Sequence, residues 1–294
     1  MKELAVAQRF LLAADRLSQA EVVRAMEALN QEIFRLSSIL ADRIQVEERK
    51  LQPPDRLEMF RKRILTLGPA FLEVVEAKHL KDSLAIQLGW QATLVWWCYE
   101  VIEAWVVEDL GIREVNGELK EIYRGIKATN DQAVAGRWRS LAHGVLDEIP
   151  SEISEGLSGD LIRPLAALPV LCGYIFNKEP YQELCKAFEQ RIGRLTDKCL
   201  KFRKMIGEGI TSTDIRPYFV RSGDNYNPDY AELECEDEKD GSPKEQAGVI
   251  ACSLGLGLYC TRTTPSADNQ FVEHREPILK PKIILLETLK EIIA

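Results

Sequence analysis

Two patterns of hydrophobic spacing run along the chain, and one gives way to the other near residue 210. Before that point apolar residues recur every three or four positions, the spacing that lines one face of an α-helix. After it, Gly, Pro and short β-branched runs take over. Ser18-x-x-Glu21 has the spacing of a capping box, in which the Ser hydroxyl takes a free amide at a helix start and the Glu reaches back. From there Val22, Met26, Leu29, Ile33, Leu36, Leu40 and Ile44 form one apolar stripe on a long helix. That period suits either a supercoiled pair, which would make the 22–44 helix a homodimer seam, or a helix lying on the chain's own core. Pro53 and Pro54 end it. Asp55 starts a second helix through Leu57, Phe60, Ile64 and Leu67, stopped by Gly68-Pro69, and a short third follows through Phe71, Leu72 and Val75. Residues 84–110, with Trp90, Trp96, Trp97 and Trp105, are apolar on nearly every face, as at the centre of a bundle, with Gly111 as the stop. Further helices are predicted over 119–126 and 133–146. Gly156, Gly159, Pro164 and Pro169 predict short helices and turns over 151–173. Pro180 opens the last helix, striped by Leu184, Phe188, Ile192, Leu195, Cys199, Phe202 and Ile206.

Beyond Gly209 the pattern predicts strands: 215–220, 230–235, a Gly-interrupted run over 248–260, and 278–286 near a sheet edge because of Pro277 and Pro281. Turns are expected at Gly223-Asp224-Asn225 and Asn227-Pro228, a polar loop over 261–269, and a frayed end from Leu289. The fold class is therefore α+β, a helical N-terminal bundle over 1–208 followed by a small C-terminal β-domain over 209–294.

Composition changes this picture little. Of 294 residues, 46% are apolar and 29% charged, an ordinary globular balance. The formal net charge is −8, and 232–245 alone holds seven acids and two bases. The rest is close to balanced, so no basic footprint for nucleic acid or an anionic membrane is expected. Seven scattered cysteines, none in a C-x-x-C pair, fit a reducing cytoplasm better than a disulfide framework or zinc site. The start of the chain shows no signal-peptide pattern, and 83–99, with Gln87 and Gln91 inside it, falls short of a membrane span.

Catalytic chemistry is sparse. His79, His143 and His274 each stand alone, at no metal-ligand spacing. There is no nucleophile elbow and no P-loop, and Gly255-Leu256-Gly257 lacks the third glycine of a dinucleotide fingerprint. The acidic run after Glu234 fails calcium-loop spacing. Glu100 and Glu103 read as the wet edge of the Trp-rich helix. An enzyme would need Glu100, Glu103 and His143 to converge on a pocket near Trp90 to Trp105. The residues thus predict no catalytic site, no metal and no cofactor.

One region carries a family resemblance. Gly209-Ile210, Ile215, Gly223 and then Tyr226-Asn227-Pro228-Asp229-Tyr230-Ala231-Glu232 follow one another in the order of the GrpE family, the nucleotide exchange factors of Hsp70 chaperones. In that family a long helix ends in Gly-Val, and a strand and a Gly lead into a Phe-Asp-Pro-x-x-His-Glu-Ala turn. Tyr226-Asn227-Pro228 stands where Phe-Asp-Pro would be, and the family's histidine has no counterpart in the Asp229-Tyr230-Ala231-Glu232 that follows. Gly257-Leu258, nine residues after Gly248, resembles the family's Gly-Tyr pair. Leu279-Lys280-Pro281-Lys282-Ile283-Ile284 resembles its closing Leu-Arg-Pro-Ala-x-Val strand. The resemblance covers 209–286.

The resemblance implies a co-chaperone whose β-domain holds open the nucleotide-binding domain of an Hsp70-like ATPase, so that ADP leaves; no bond is made. It implies that Tyr226, Asn227 and Pro228, which also shape a turn, together with Gly257, Leu258, Lys280 and Pro281 lie towards that partner. The residues also leave open a different class, a helical protein-binding or sensor module that uses the β-domain as a scaffold.

Overall fold

The computed structural model describes residues 15–42, 58, 61–62, 64–76, 84–107, 114–147, 153–172, 178–234, 248–265 and 271–293. In chain order its elements are α1 (Gln19–Ala41), α2 (Pro69–Glu76), α3 (Leu84–Glu103), α4 (Glu114–Thr129), α5 (Gln132–Asp147), α6 (Ile153–Leu171), α7 (Lys178–Glu208), β1 (Asp214–Tyr218), β2 (Glu232–Leu233), β3 (Ile250–Ser253), β4 (Gly257–Pro265), β5 (Phe271–Leu279), β6 (Lys282–Leu285) and α8 (Leu286–Ile293). The class is α+β, with helices first and small sheets after.

The capping box forms at the head of α1. Glu21 N donates to Ser18 Oγ at 3.3 Å, and Ser18 N donates to the Glu21 carboxylate at 2.8 Å. Val22, Met26, Leu29, Ile33, Leu36 and Leu40 are all buried, and α1 packs on α3 and α7 of the same chain. The stripe proposed as a dimer seam is thus taken up inside the chain; Ile44 lies outside the described residues. The large apolar side chain that α1 leaves exposed is Phe34, on its other face. The central helix is α3, buried on almost every side.

Four expectations are corrected, the first two by side chains that act on distant backbone. First, α3 stops at Glu103, well before Gly111. Asn116 accepts from the amides of Trp105 and Val106 at 2.6 and 2.9 Å, and Arg203 donates to the carbonyls of Ala104 and Trp105 at 2.7 and 2.6 Å. Those groups would otherwise extend the helical ladder. Second, α6 is one helix despite Pro164 and Pro169. A helical proline leaves the carbonyl four residues back without its amide. For Pro169 that carbonyl belongs to Leu165, and the buried Trp90 Nε1–H donates to it at 2.7 Å. Third, 261–269 is not a loop from its start. Thr261 and Thr263 point inward on β4, whose register with β5 runs from Leu258↔Leu279 to Pro265↔Phe271. β5 itself has no apolar alternation for a sequence to show, because most of it is exposed. The end of the chain is also not frayed: α8 buries Leu289.

The strands make two three-stranded sheets, ordered β1-β4-β5 and β2-β6-β3. The first is antiparallel throughout; in the second β2 runs parallel to β6 and β3 antiparallel to it. The helix-to-strand change falls at Glu208, where the sequence pattern places it. The core does not divide there. Ile210, Ile215, Ala251, Cys252, Leu254, Leu256, Leu258 and Ile284 join the same buried cluster as α1, α3, α6 and α7. A smaller cluster of Ala231, Ile250, Ile283 and Leu285 belongs to the β part alone. Among the described residues no helix is long and apolar enough to cross a membrane.

Candidate functional site

The residues singled out from the sequence gather at one end of the β part. Tyr218, the last residue of β1, faces Gly257, the first of β4, and Leu258 faces Leu279 at the end of β5. The 226–231 turn folds over this end. Asn227 Oδ1 accepts from Asp229 N at 2.9 Å, and the Asn227 carbonyl accepts from Tyr230 N and Ala231 N at 3.1 and 3.2 Å, an Asx turn that fixes the chain around Pro228. Two long-range bonds tie the turn down: Lys280 Nζ donates to the Pro228 carbonyl at 2.7 Å, and Tyr218 Oη donates to the Tyr230 carbonyl at 2.9 Å. Glu232 N donates to the Pro281 carbonyl at 3.0 Å, which starts the β2–β6 ladder.

These residues differ in what they can offer a partner. Gly257, Leu258 and Pro281 are buried. A Cβ on Gly257 would sit 2.5 Å from Pro281 Cδ and 2.6 Å from the Leu279 carbonyl oxygen, so the three are the packing that shapes this end. Gly257→Ala is accordingly expected to cost about 1–3 kcal/mol in urea unfolding, since the obstructing atoms include backbone. Tyr226 is half-buried against the smaller cluster. The exposed rim is Asn227, Pro228, Asp229 and Tyr230, with half-buried Lys280 beside it. Tyr230 is 46% exposed and bonds within the chain through its backbone. The sequence pattern places Tyr230 with the apolar residues of a half-buried strand over 230–235; in the structure the strand starts only at Glu232, and Tyr230 stands exposed in the turn before it.

The β part is pinned to the helices through Asp214, at the head of β1 and almost wholly buried. Its carboxylate accepts from Tyr123 Oη at 2.6 Å, from Gln132 at 3.2 Å and from Arg139, and it pairs with Lys127 at 3.3 Å. Arg139 also donates to the carbonyls of Ile210 and Thr213. Lys127 pairs in addition with Glu273 on β5. Burial alone would raise the Asp214 carboxyl. Arg139, Arg216, Lys127 and the Tyr123 hydroxyl overcome that and hold it at about 2. Glu103, expected at the wet edge of α3, instead pairs with Arg216 of β1 at 3.2 Å.

His143 lies beneath this network, stacked on Trp105 with ring centroids 4.4 Å apart. Burial, then the charges of Arg203, Arg139 and Arg216, push it down to about 3. Its Nδ1 is buried without a hydrogen bond. A histidine with a depressed folded value contributes full stability above its unfolded value near 6.5, and that contribution falls as pH drops towards the folded value. One such proton is worth about 1.4 kcal/mol per pH unit. His143→Phe keeps the stacked ring, so it should flatten the stability profile between pH 6.5 and 3 and leave stability at pH 8 within about 1 kcal/mol. A variant profile as steep as wild type would contradict the assignment.

Glu100, Glu103 and His143 do not converge. Glu103 and His143 border a void of about 20 Å³, roughly one water's room, whereas Glu100 lines a separate cavity. Among the described residues no group of His, Cys, Asp and Glu side chains is placed to hold a metal ion. His79 and the acidic run after Glu234 lie outside the described residues. Comparison of the chain with family models, with curated proteins and with solved structures found no match.

Proposed function

We propose that this chain is a cytoplasmic co-chaperone that promotes ADP release from an Hsp70-like ATPase through the end of its β part. One observation carries the reading. The three short motifs that resemble GrpE lie far apart in sequence, yet they meet at a single end of the fold, joined by the Lys280–Pro228 bond and by the packing of Gly257 against Leu279 and Pro281. Other positions of the resemblance, and Pro281 itself, fall at structural joints. Gly209-Ile210 follows α7, Gly223 takes a φ of +92° in the turn after β1, and Pro281 separates β5 from β6. The rim they support presents an aromatic side chain flanked by Asp229 and Lys280, suited to a protein surface.

The mechanism needs only differential affinity. A protein that binds the open, nucleotide-poor form of an ATPase tenfold better than the closed ADP form shifts that equilibrium by about 1.4 kcal/mol. The buried Asp214 network makes the rim a stiff extension of the helical body, so contact energy at the rim is not lost in bending it. The test is binding of the full chain to each purified Hsp70-like ATPase of the host, with and without ADP. Tighter binding without ADP is expected; equal affinity in both states removes exchange activity.

A second reading has its own observation. Val115 and Ile122 on α4, and Leu141 and Val145 on α5, are 45–64% exposed at helical spacings. They suit a helical binding module. Under that reading Leu141→Ser with Val145→Ser abolishes partner binding and Tyr230→Ala leaves it intact.

A further inference from the structure

A cavity of about 760 Å³ opens between the helices and the first sheet. Its walls are aromatic: Trp96 and Tyr99 from α3, Phe219 just after β1, and Tyr259 from β4. These rings are held in place. Tyr99 meets Phe219 edge-on at 5.0 Å, and Tyr259 stacks on Tyr218 at 3.7 Å. Three cations stand around them, Lys120 of α4, Arg221 and Arg275 of β5, against one carboxylate, Glu100. The Arg275 guanidinium lies 3.4 Å over the Tyr259 ring, an arrangement that leaves its in-plane N–H groups available to an anion. Lys120 and Arg221 make no side-chain ion pair or hydrogen bond among the described residues. On α4, Gly117 borders the same space, and a Cβ there would meet nothing within 4 Å.

We propose that this cavity binds a small ligand made of a flat aromatic ring system bearing an anionic group. Ligand sites typically run from about 300 to 1,000 Å³, lined by aromatic side chains with a few polar groups that set orientation. The rings supply flat apolar faces, and the cations supply the charge that an aromatic anion complements. An aliphatic or cationic ligand would waste one or the other. The cavity adjoins the 226–231 turn through Tyr218, whose hydroxyl donates to the Tyr230 carbonyl, but no residue of 226–231 lines it, and the proposal goes beyond the exchange reading without depending on it.

Isothermal titration of the full chain with indole-3-acetate and AMP tests it, against indole-3-acetamide, adenosine and inorganic phosphate. At least one of the two anions should bind with a Kd below about 1 mM, and its uncharged counterpart and phosphate should each bind about tenfold more weakly or worse. Gly117→Trp, which fills the space from α4, should abolish binding. Arg221→Gln, an exposed substitution, should weaken it about tenfold and serves where the Trp variant does not fold. Neither anion binding below about 1 mM, equal binding of the neutral counterpart, or wild-type affinity in both variants would overturn the assignment.

Discussion

Asp214→Ala should destabilise the protein by about 3–5 kcal/mol, the cost of leaving buried cations without their carboxylate. The penalty falls on Arg139, whose side chain is 3% exposed and is left with only the carbonyls of Ile210 and Thr213; Lys127, 13% exposed, keeps Glu273. Tyr123 Oη and Gln132 also lose their acceptor. Urea unfolding with tryptophan fluorescence reads the change, because Trp138 stacks on Tyr123 and Trp105 meets it edge-on. Adding Arg139→Met to the variant should recover part of the loss, though not all, because Arg139 also serves the carbonyls of Ile210 and Thr213. The pH dependence follows with the same sign. A carboxylate held at about 2 contributes stability that is present above its unfolded value near 3.8 and is lost as pH falls towards 2. Wild type should lose that part of its stability only below pH 4, and the variant should not show it. A cost under about 1 kcal/mol would mean that the network does not pin the sheet.

Tyr230→Ala should weaken binding to the ATPase by about thirtyfold or more, equivalent to at least 2 kcal/mol, as for an aromatic anchor at an interface centre. The substitution leaves the local structure in place. The Tyr230 amide and carbonyl make the bonds to Asn227 and Tyr218, and alanine keeps both. Thermal unfolding should therefore move little, which separates a contact role from a folding role. Lys280→Met is the complementary variant. It removes the donor to the Pro228 carbonyl together with the rim's cation, and it should weaken binding through a looser turn while Tyr230 stays in place. A Tyr230→Ala protein that binds as tightly as wild type would move the interface off this rim.

Much of this fold is legible in the sequence, for a specific reason. Where an element's limits are set by its own residues, as at Ser18 and Glu21 or in the stripe of α7, periodicity and capping place it correctly. Where they are set by a side chain far away, the local sequence misleads. Trp90 makes Pro169 tolerable, and Asn116 with Arg203 ends α3, and neither fact is written near the element it changes. β5 is illegible for the opposite reason: its residues are mostly exposed, so no alternation marks it.

The candidate site shows the same division. The motif positions can be read as a series along the chain, but their meeting at one end is long-range. Nothing in the sequence distinguishes buried Gly257, Leu258 and Pro281, which shape that end, from exposed Tyr230, which is free to touch another protein. The Asp214 network is likewise built from α4, α5 and β1, and no spacing announces it.

On the proposed reading, this chain loosens the hold of an Hsp70-like ATPase on ADP. The direct measurement is release of fluorescent ADP from each such ATPase of the host, chased with unlabelled nucleotide, with and without the full chain. Release from one of them should quicken about tenfold or more, and Tyr230→Ala should return it to the basal rate. Unchanged release from every one, with no binding to either nucleotide state, would contradict it.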